Sequence, residues 1–341
     1  GGGGFALDNI LFVDPNGNNG TAVIGRIDLP WLTIEAATVA ANGLSVSAGV
    51  QIYVFPGVYS PTTTITPTKH GLSYRLLSGV EINSTNLGTS DMFQIASNND
   101  VSIIGDDRLV REGTWTSSNN TNAGVILTHT GGASVFNMSG GSVQASLSLR
   151  NITIVGDGRV TGLTNPIELI ANCNLYLDNC DVQNQNANND ATCINIGVNS
   201  TDTRVTVNHS YLVCAGPRNI SVNALINQPD ILYISVWNTK LVAQGAASNG
   251  HIKTWAGPGQ TVSGQLGGNV FYSTNAAGGA SQYYMWHDGG NTGQKVNIED
   301  VGRSAGNKLG LGSTGNTMTA IVGGGLITNV GLINPLTTWV R

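Results

Sequence analysis

The amino-acid sequence predicts an all-β protein: a single-stranded right-handed parallel β-helix, in which short strands coil into a stacked solenoid. Charged residues make up only 10% of the chain, and its 46 glycines and many Val, Ile, Thr and Asn residues favour strands and tight turns over helices. A pattern of strand residues also recurs in the middle of the chain. Within each copy the apolar residues alternate with a period of two, which indicates strands.

Each copy of the repeat has two alternating apolar residues, a polar or short residue, then Asn or His, and another apolar residue three positions later. The copies are 147–151 with Ile154, 175–179 with Val182, 205–209 with Leu212, and 234–238 with Leu241. Successive copies are 28, 30 and 29 residues apart. A near-constant period with variable loops is typical of a solenoid, and a unit of short strands without a helix excludes the leucine-rich, ankyrin and tetratricopeptide repeats.

The Asn or His position of the repeat predicts a structural ladder formed by Asn151, Asn179, His209 and Asn238. Asn tolerates a left-handed backbone at a corner, and its amide group can hydrogen-bond to the equivalent residue of the next repeat. His209 interrupts the series of asparagines, so we expect a local irregularity there.

A second apolar stretch follows in each copy, so each repeat contains at least two strands joined by turns. These stretches are 167–170, 193–196, 222–226 and 251–255. Earlier stretches predict further coils with less regular loops: 50–55, 72–77, 101–104, 125–128 and 134–138.

The ends of the chain differ from its middle, which predicts three regions. Residues 33–42 are rich in Ala and Ile, follow Pro30 and precede Gly43, so they predict a short helix that covers the exposed end of the first coil. We therefore assign 1–49 to an N-terminal linker and cap, 50–256 to β-helix coils, and 257–341 to a Gly-rich C-terminal β cap or oligomerisation region.

Charge and hydropathy bear on the partners of the protein. The formal net charge is -5 and no basic cluster is present, so we expect no nucleic-acid partner. No run of about 18 apolar residues occurs, so we expect no membrane insertion. The four cysteines lack the paired spacing of a zinc site and are interpreted as buried small hydrophobic residues, and no metal or other cofactor is predicted.

Residues 11–59 resemble the opening of pectin-lyase-like β-helix proteins. The matching segments are Val13-Asp14-Pro15, Asn16 to Gly20, Gly25-Arg26, Pro30 to Ala37, and Ile52 to Tyr59 with its Pro-Gly-x-Tyr close. This superfamily includes polysaccharide lyases and hydrolases, phage tailspikes and β-helix proteins of large-virus particles. The segment 25–30 is most similar to the viral members.

The resemblance raises the question of a catalytic centre, because lyases and hydrolases of this superfamily use grouped acidic residues. The acidic residues considered are Asp157, Glu168, Asp178, Asp181, Asp190, Asp202 and the adjacent pair Asp106-Asp107. We interpret them as turn and surface carboxylates. The segment 250–253, Gly-His-Ile-Lys, only faintly resembles elements of the hydrolases, so no catalytic residue is assigned.

Five aromatic residues are candidates for stacking on sugar rings if they line an exposed groove: Trp237, Trp255, Tyr283, Tyr284 and Trp286. Aromatic side chains also fill cores and subunit interfaces, and that role is the main alternative for each of them.

The function predicted from these observations is that of a non-enzymatic structural protein of a virus particle, a spike, fibre or capsid-associated β-helix at the virion surface or otherwise extracellular. The alternatives are a tailspike-type polysaccharide lyase or glycoside hydrolase, and a bacterial surface adhesin or filament subunit. Expected partners are other virion proteins, carbohydrate, and further copies of the chain, most simply in a trimer assembled through the region after Gly257.

Overall fold

The computed structural model describes residues 7–46, 49–97, 99–106, 124–156, 165–186, 191–197, 202–215, 220–223, 231–244, 251–255, 261–273, 282–287, 295–300, 308–311, 318–322 and 339–340. Side chains are described up to residue 271, except those at 221–223, 231, 254, 255 and 261. The described strands form three sheets, two of ten strands and one of eight.

Sheet 1 contains ten strands. They are β1 Ile10–Val13, β2 Gln51–Val54, β4 Leu72–Leu76, β7 Asp100–Gly105, β10 Ala145–Arg150, β13 Cys173–Asp178, β16 Arg204–Asn208, β19 Ile231–Trp237, β22 Thr261–Gly267 and β25 Lys295–Asp300.

Sheets 2 and 3 hold the remaining strands. Sheet 2 consists of β3 Gly57–Tyr59, β5 Val80–Asn83, β8 Val125–His129, β11 Thr153–Gly156, β14 Asp181–Asn184, β17 Tyr211–Cys214, β20 Lys240–Ala243, β23 Val270–Ser273, β26 Lys308–Leu311 and β28 Trp339–Val340. Sheet 3 consists of β6 Phe93–Ala96, β9 Phe136–Ser139, β12 Ile167–Ala171, β15 Ile194–Ile196, β18 Ile220–Asn223, β21 Ile252–Trp255, β24 Gln282–His287 and β27 Met318–Val322.

The described strands pair in parallel, each with the strand one coil further on, where a coil is one circuit through sheets 1, 2 and 3. In sheet 1, for example, Leu147 lies opposite Leu175, which lies opposite Val205 and then Ile234. This topology confirms the predicted parallel β-helix. It also refines the repeat, because each regular coil contributes three strands, one to each sheet.

The interior of the solenoid is formed by the inward-facing residues of all three sheets. Along strands of sheet 1 such as β10, buried residues alternate with partly exposed ones, as the period of two predicts. Each fully buried Leu, Ile or Val side chain contributes roughly 1.5–3 kcal/mol. The four cysteines are buried and unbridged in this interior, which confirms their interpretation as small core residues.

Helix α1, Ile34–Asn42, is the only helix among the described residues and lies where the sequence predicts it. Its N-cap is Thr33, whose Oγ1 accepts the backbone N–H of Ala36 at 3.3 Å. Ile34, Ala37 and Ala41 are buried in the core. The helix thus packs on the first strands of the solenoid, β1 and β2.

The outer edge of β1 is paired by the segment that precedes the helix. Gly25 N–H donates to Ile10 O, and Trp31 N–H donates to Phe12 O, both at 2.8 Å. Asp14 N–H returns a bond of 2.9 Å to Trp31 O. The first coil therefore begins at Ile10, inside the predicted region 1–49, and its edge strand is not open.

The three sheets continue past residue 256. Strand β22 pairs with β19 over seven residues from Thr261 to Gly267, and β23, β24 and β25 extend sheets 2, 3 and 1 in turn. The strand order does not change at the boundary predicted near Gly257.

Candidate functional site

The four predicted ladder residues occupy the same corner of successive coils, between sheets 1 and 2. Their φ angles are 56° for Asn151, 52° for Asn179, 46° for His209 and 48° for Asn238, all in the left-handed region. Each residue directly follows its own strand of sheet 1, and these strands are paired in register, so the four residues lie one above another. The Nδ2 group of Asn179 donates to Oδ1 of Asn151 at 2.9 Å, and Asn151 Nδ2 donates to Gly105 O at 3.2 Å.

The irregularity expected at His209 is not found, because the strands on both sides keep their register. His shares with Asn a tolerance for the left-handed region, so the corner keeps its backbone shape. The His209 ring instead approaches the preceding coil, with Nδ1 at 3.5 Å from Asp178 Oδ1. The next position along the corner is Gly268, with φ of 63°, where an added Cβ would lie 2.5 Å from Asn238 Oδ1.

A second ladder, inside the same corner, was not predicted from the sequence. The backbone N–H groups of Cys180, Ser210 and Thr239 donate to side chains one coil further on: to Ser210 Oγ at 3.1 Å, to Thr239 Oγ1 at 3.3 Å and to Asn269 Oδ1 at 3.0 Å. These residues are buried, so the side chains satisfy amide groups that water cannot reach. The signal in the sequence is positional, since each residue directly follows a residue of the outer corner series.

The outward faces of the three sheets differ in exposure. Strands β11, β14 and β17 of sheet 2 are buried on both faces, and Asp181, on the outward face, is only 3% exposed. Sheets 1 and 3 keep partly exposed outward side chains. The Asp181 carboxylate is therefore too buried to meet a large ligand.

Sheet 3 carries a line of polar residues in register, which we call the sheet 3 row. It consists of Gln94, Asn137, Glu168, Asn195, Ser221 and Lys253, each opposite the next in the parallel register. Their inward neighbours, such as Phe136, Ile167 and Ile194, are fully buried. This alternation places the described side chains of the row, those of Gln94, Asn137, Glu168, Asn195 and Lys253, on the outer surface of the sheet.

Glu168 is at the centre of the sheet 3 row and is held by two amide groups. Asn195 Nδ2 donates to Oε1 at 2.7 Å, and Asn165 Nδ2 donates to Oε2 at 3.0 Å. Asn165 is itself fixed, because its Oδ1 accepts the backbone N–H of Thr192 at 3.0 Å. The Glu168 carboxyl group is thus oriented by Asn165 of its own coil and by Asn195 of the next coil.

Burial raises the pKa of Glu168 above its ordinary value, while the hydrogen bonds from Asn165 and Asn195 oppose that shift and the negative charge of Asp91 adds to it. Asp91 Oδ1 accepts the backbone N–H of Ser134 at 2.9 Å, which holds it at the neighbouring corner. The charge of Asp91 therefore acts on Glu168 near sheet 3, a relationship that sequence analysis missed because the two residues lie far apart in the chain.

The aromatic candidates fall in two groups. The Trp237 indole lies against Gly267 of the next coil, where an added Cβ would collide with the ring, and its Nε1–H donates to Ser235 Oγ at 2.7 Å. Trp237 is thus engaged with its own solenoid. Trp255 ends β21, and Tyr283, Tyr284 and Trp286 are in β24, where the backbone of Trp286 lies opposite that of Lys253. The side chains of these four residues lie outside the described part.

The remaining acidic candidates that the structure describes lie on different elements. Asp178 is in sheet 1 and Asp181 in sheet 2, and Asp202 occupies a left-handed turn position with φ of 45°. Asp107, Asp157 and Asp190 lie outside the described residues. His251 is buried in the interior whereas Lys253 belongs to the sheet 3 row, so these two do not form a site. Within the described ranges no three His, Cys, Asp or Glu residues are grouped as metal ligands.

Comparisons with known proteins give no assignment to a family: no family model matches the chain, and neither does any curated protein. Among solved structures, the Escherichia coli protein YbhC is similar at 10% identity, with 90% of this chain and 72% of that chain covered and a TM-score of 0.30. A pectin methylesterase from Aspergillus niger is similar at 12% identity, with 95% and 86% covered and a TM-score of 0.28. The fold described above rests on the strand register of the chain itself.

The described part of the chain also contains no helix that is long and apolar enough to span a membrane.

Proposed function

We propose that this chain is a structural β-helix protein of a virus particle, a spike, fibre or capsid-associated element at the virion surface. The observation that supports this function is the unbroken register of sheet 1 through ten strands, from β1 to β25. Coil-to-coil hydrogen bonds along the whole axis, with two ladders at one corner, resist bending and local unfolding. At about 4.8 Å per strand, ten strands give a rigid element about 45 Å long.

Helix α1 and residues 25–31 are proposed to form an N-terminal cap, which fits the same structural function. They cover the edge of β1 and the apolar end of the first coil, so a long solenoid can be displayed without associating through that edge. The region after residue 257 is proposed to mediate self-association, most simply as a trimer.

Imaging the native assembly tests the proposal. Gold-labelled antibodies against the chain should mark the surface of purified particles at regular positions in electron micrographs. Absence of the chain from particles purified from its source would contradict the virion role. Light scattering should give three times the 35.4 kDa of one chain, and a monomer would refute the trimer.

A second candidate function, glycan binding or cleavage of the tailspike type, is favoured by one observation: the Glu168 carboxyl group is oriented on an outward face next to amide groups. Amide and carboxyl groups in a line can hydrogen-bond to successive sugar hydroxyls, and a carboxyl group with a raised pKa can act as a general acid. Glu168→Gln should reduce binding to glycan arrays or release of reducing ends, whereas Glu81→Gln on sheet 2 should not. Equal activity of both variants and the parent protein would exclude Glu168.

The third alternative, a bacterial surface adhesin or filament subunit, predicts that a strand of one copy pairs with a sheet edge of the next.

A further inference from the structure

Glu168 and Asn137 are direct neighbours on the outer face of sheet 3. They are register partners in β12 and β9, and both alternate with buried residues of their strands. Parallel strands lie about 4.8 Å apart, so the two side chains stand next to each other. The Oδ1 atom of Asn137 is buried and has no donor among the described residues.

A buried acceptor without a donor is costly, and Gln94, the other register partner of Asn137, makes no hydrogen bond to this atom. The amide groups of Asn165 and Asn195 are engaged with Glu168 itself. Glu168 can be that donor only if it carries a proton, and a carboxyl oxygen that accepts one amide N–H can still do so.

The charged groups near this pair favour the proton. The negative charge of Asp91 disfavours ionisation of Glu168. Asp91 also interacts electrostatically with His129. The register partners of Glu168 in β9 and β15 are uncharged asparagines. Lys253 is the one cation of the sheet 3 row among the described residues, and it lies three coils beyond Glu168.

We propose that Glu168 is protonated in mildly acidic solution and donates this proton to Asn137 Oδ1, so that the sheet 3 row is a pH-dependent surface. With the proton in place, the centre of the row is uncharged and its amide groups are fixed. When the proton leaves, Glu168 becomes anionic and the buried Asn137 Oδ1 atom loses its donor. If the row binds glycans, as the second candidate function holds, the affinity for the glycan should change with pH at the midpoint of the Glu168 titration. This consequence rests on that candidate function.

Titration of the side-chain carboxyl carbons by ¹³C NMR tests the proton directly, because the chain has only five glutamates and Glu168→Gln assigns the signal. In the intact protein, Glu168 should titrate above the other four. Asn137→Ala removes the acceptor of the protonated form, so it should lower the midpoint by about half to one pH unit. Asn195→Ala removes a donor to the ionised form and should raise it.

The opposite signs of the two substitutions make the test decisive. If Asn137 instead donates its amide group to an ionised Glu168, Asn137→Ala will raise the midpoint as Asn195→Ala does, and the proposal is wrong. A midpoint for Glu168 at or below those of the other glutamates in the parent protein would overturn it without any variant. If Glu168 and its variants titrate as proposed but the protein binds no glycan, the proton assignment stands and only the glycan-binding function is refuted.

Discussion

Asn179 Nδ2 donates a hydrogen bond of 2.9 Å to Oδ1 of Asn151, one coil earlier, while both residues hold a left-handed backbone. The same side chain thus serves two purposes: its short amide group tolerates the corner conformation, and it links adjacent coils.

Substitution of Asn179 should separate these two contributions. Asn179→Ala loses the ladder bond, and Ala lacks the polar side chain that lets Asn adopt the left-handed region. The free energy of unfolding should therefore fall by about 2–3 kcal/mol. Asn179→Gly keeps the conformational freedom and should cost only about 1 kcal/mol. Urea unfolding followed by circular dichroism measures both. Asn174→Ala, on the outward face of the same strand, is the matched control, and a loss as large as that of Asn179→Ala would argue against the ladder.

The inner ladder should also be sensitive to substitution, because its members are buried. Thr239→Val keeps the shape of the side chain but removes the Oγ1 atom that accepts the Ser210 N–H. An unsatisfied buried amide costs about 1–3 kcal/mol, so thermal unfolding should begin at a lower temperature. Thr206→Val, on the partly exposed face of sheet 1, should change the transition little. If the two variants melt alike, a water molecule or another group satisfies Ser210 N–H.

The fold could be predicted because the informative residues follow one another closely along the chain. The two alternating apolar residues and the left-handed Asn or His define both the inward face and the end of the sheet 1 strand, so the phase of each coil is fixed locally. Across the boundary near Gly257, β22 continues the register of β19. The assignment of 257–341 as a cap or oligomerisation region stays a prediction.

The surroundings of Glu168 could not be predicted in the same way. Asn137, Glu168 and Asn195 become neighbours only once the loops between sheets 2 and 3 have set the register of β9, β12 and β15. Those loops vary in length, and one register shift occurs within β12. The inner ladder was missed for a different reason: Cys180, Ser210, Thr239 and Asn269 share a position but no residue type.

Gly267 should be intolerant of any side chain because the Trp237 indole lies against its backbone. Gly267→Ala must displace the ring or the strand, and overpacking of this kind costs about 1–3 kcal/mol. The Trp237 contribution to fluorescence, obtained by subtracting the spectrum of Trp237→Phe, should shift to longer wavelength as the ring moves into water. In the background of Trp237→Ala, the substitution of Gly267 should cost much less. Equal costs in the two backgrounds would mean that the contact with Trp237 is not the cause.

His251 should make the solenoid sensitive to acid. Its ring is buried in the interior and meets Phe271 edge-on at a centroid distance of 5.6 Å. Burial lowers the pKa of His251 from 6.5 to about 3, so the folded protein keeps the ring neutral while the unfolded chain binds a proton near pH 6.5. The contribution to stability is therefore fully present above pH 6.5 and is lost as the pH falls towards 3, by roughly 5 kcal/mol at the limit. In His251→Phe, the free energy of unfolding should depend less steeply on pH between 6.5 and 3. An unchanged slope in His251→Phe would show that other groups cause the acid sensitivity.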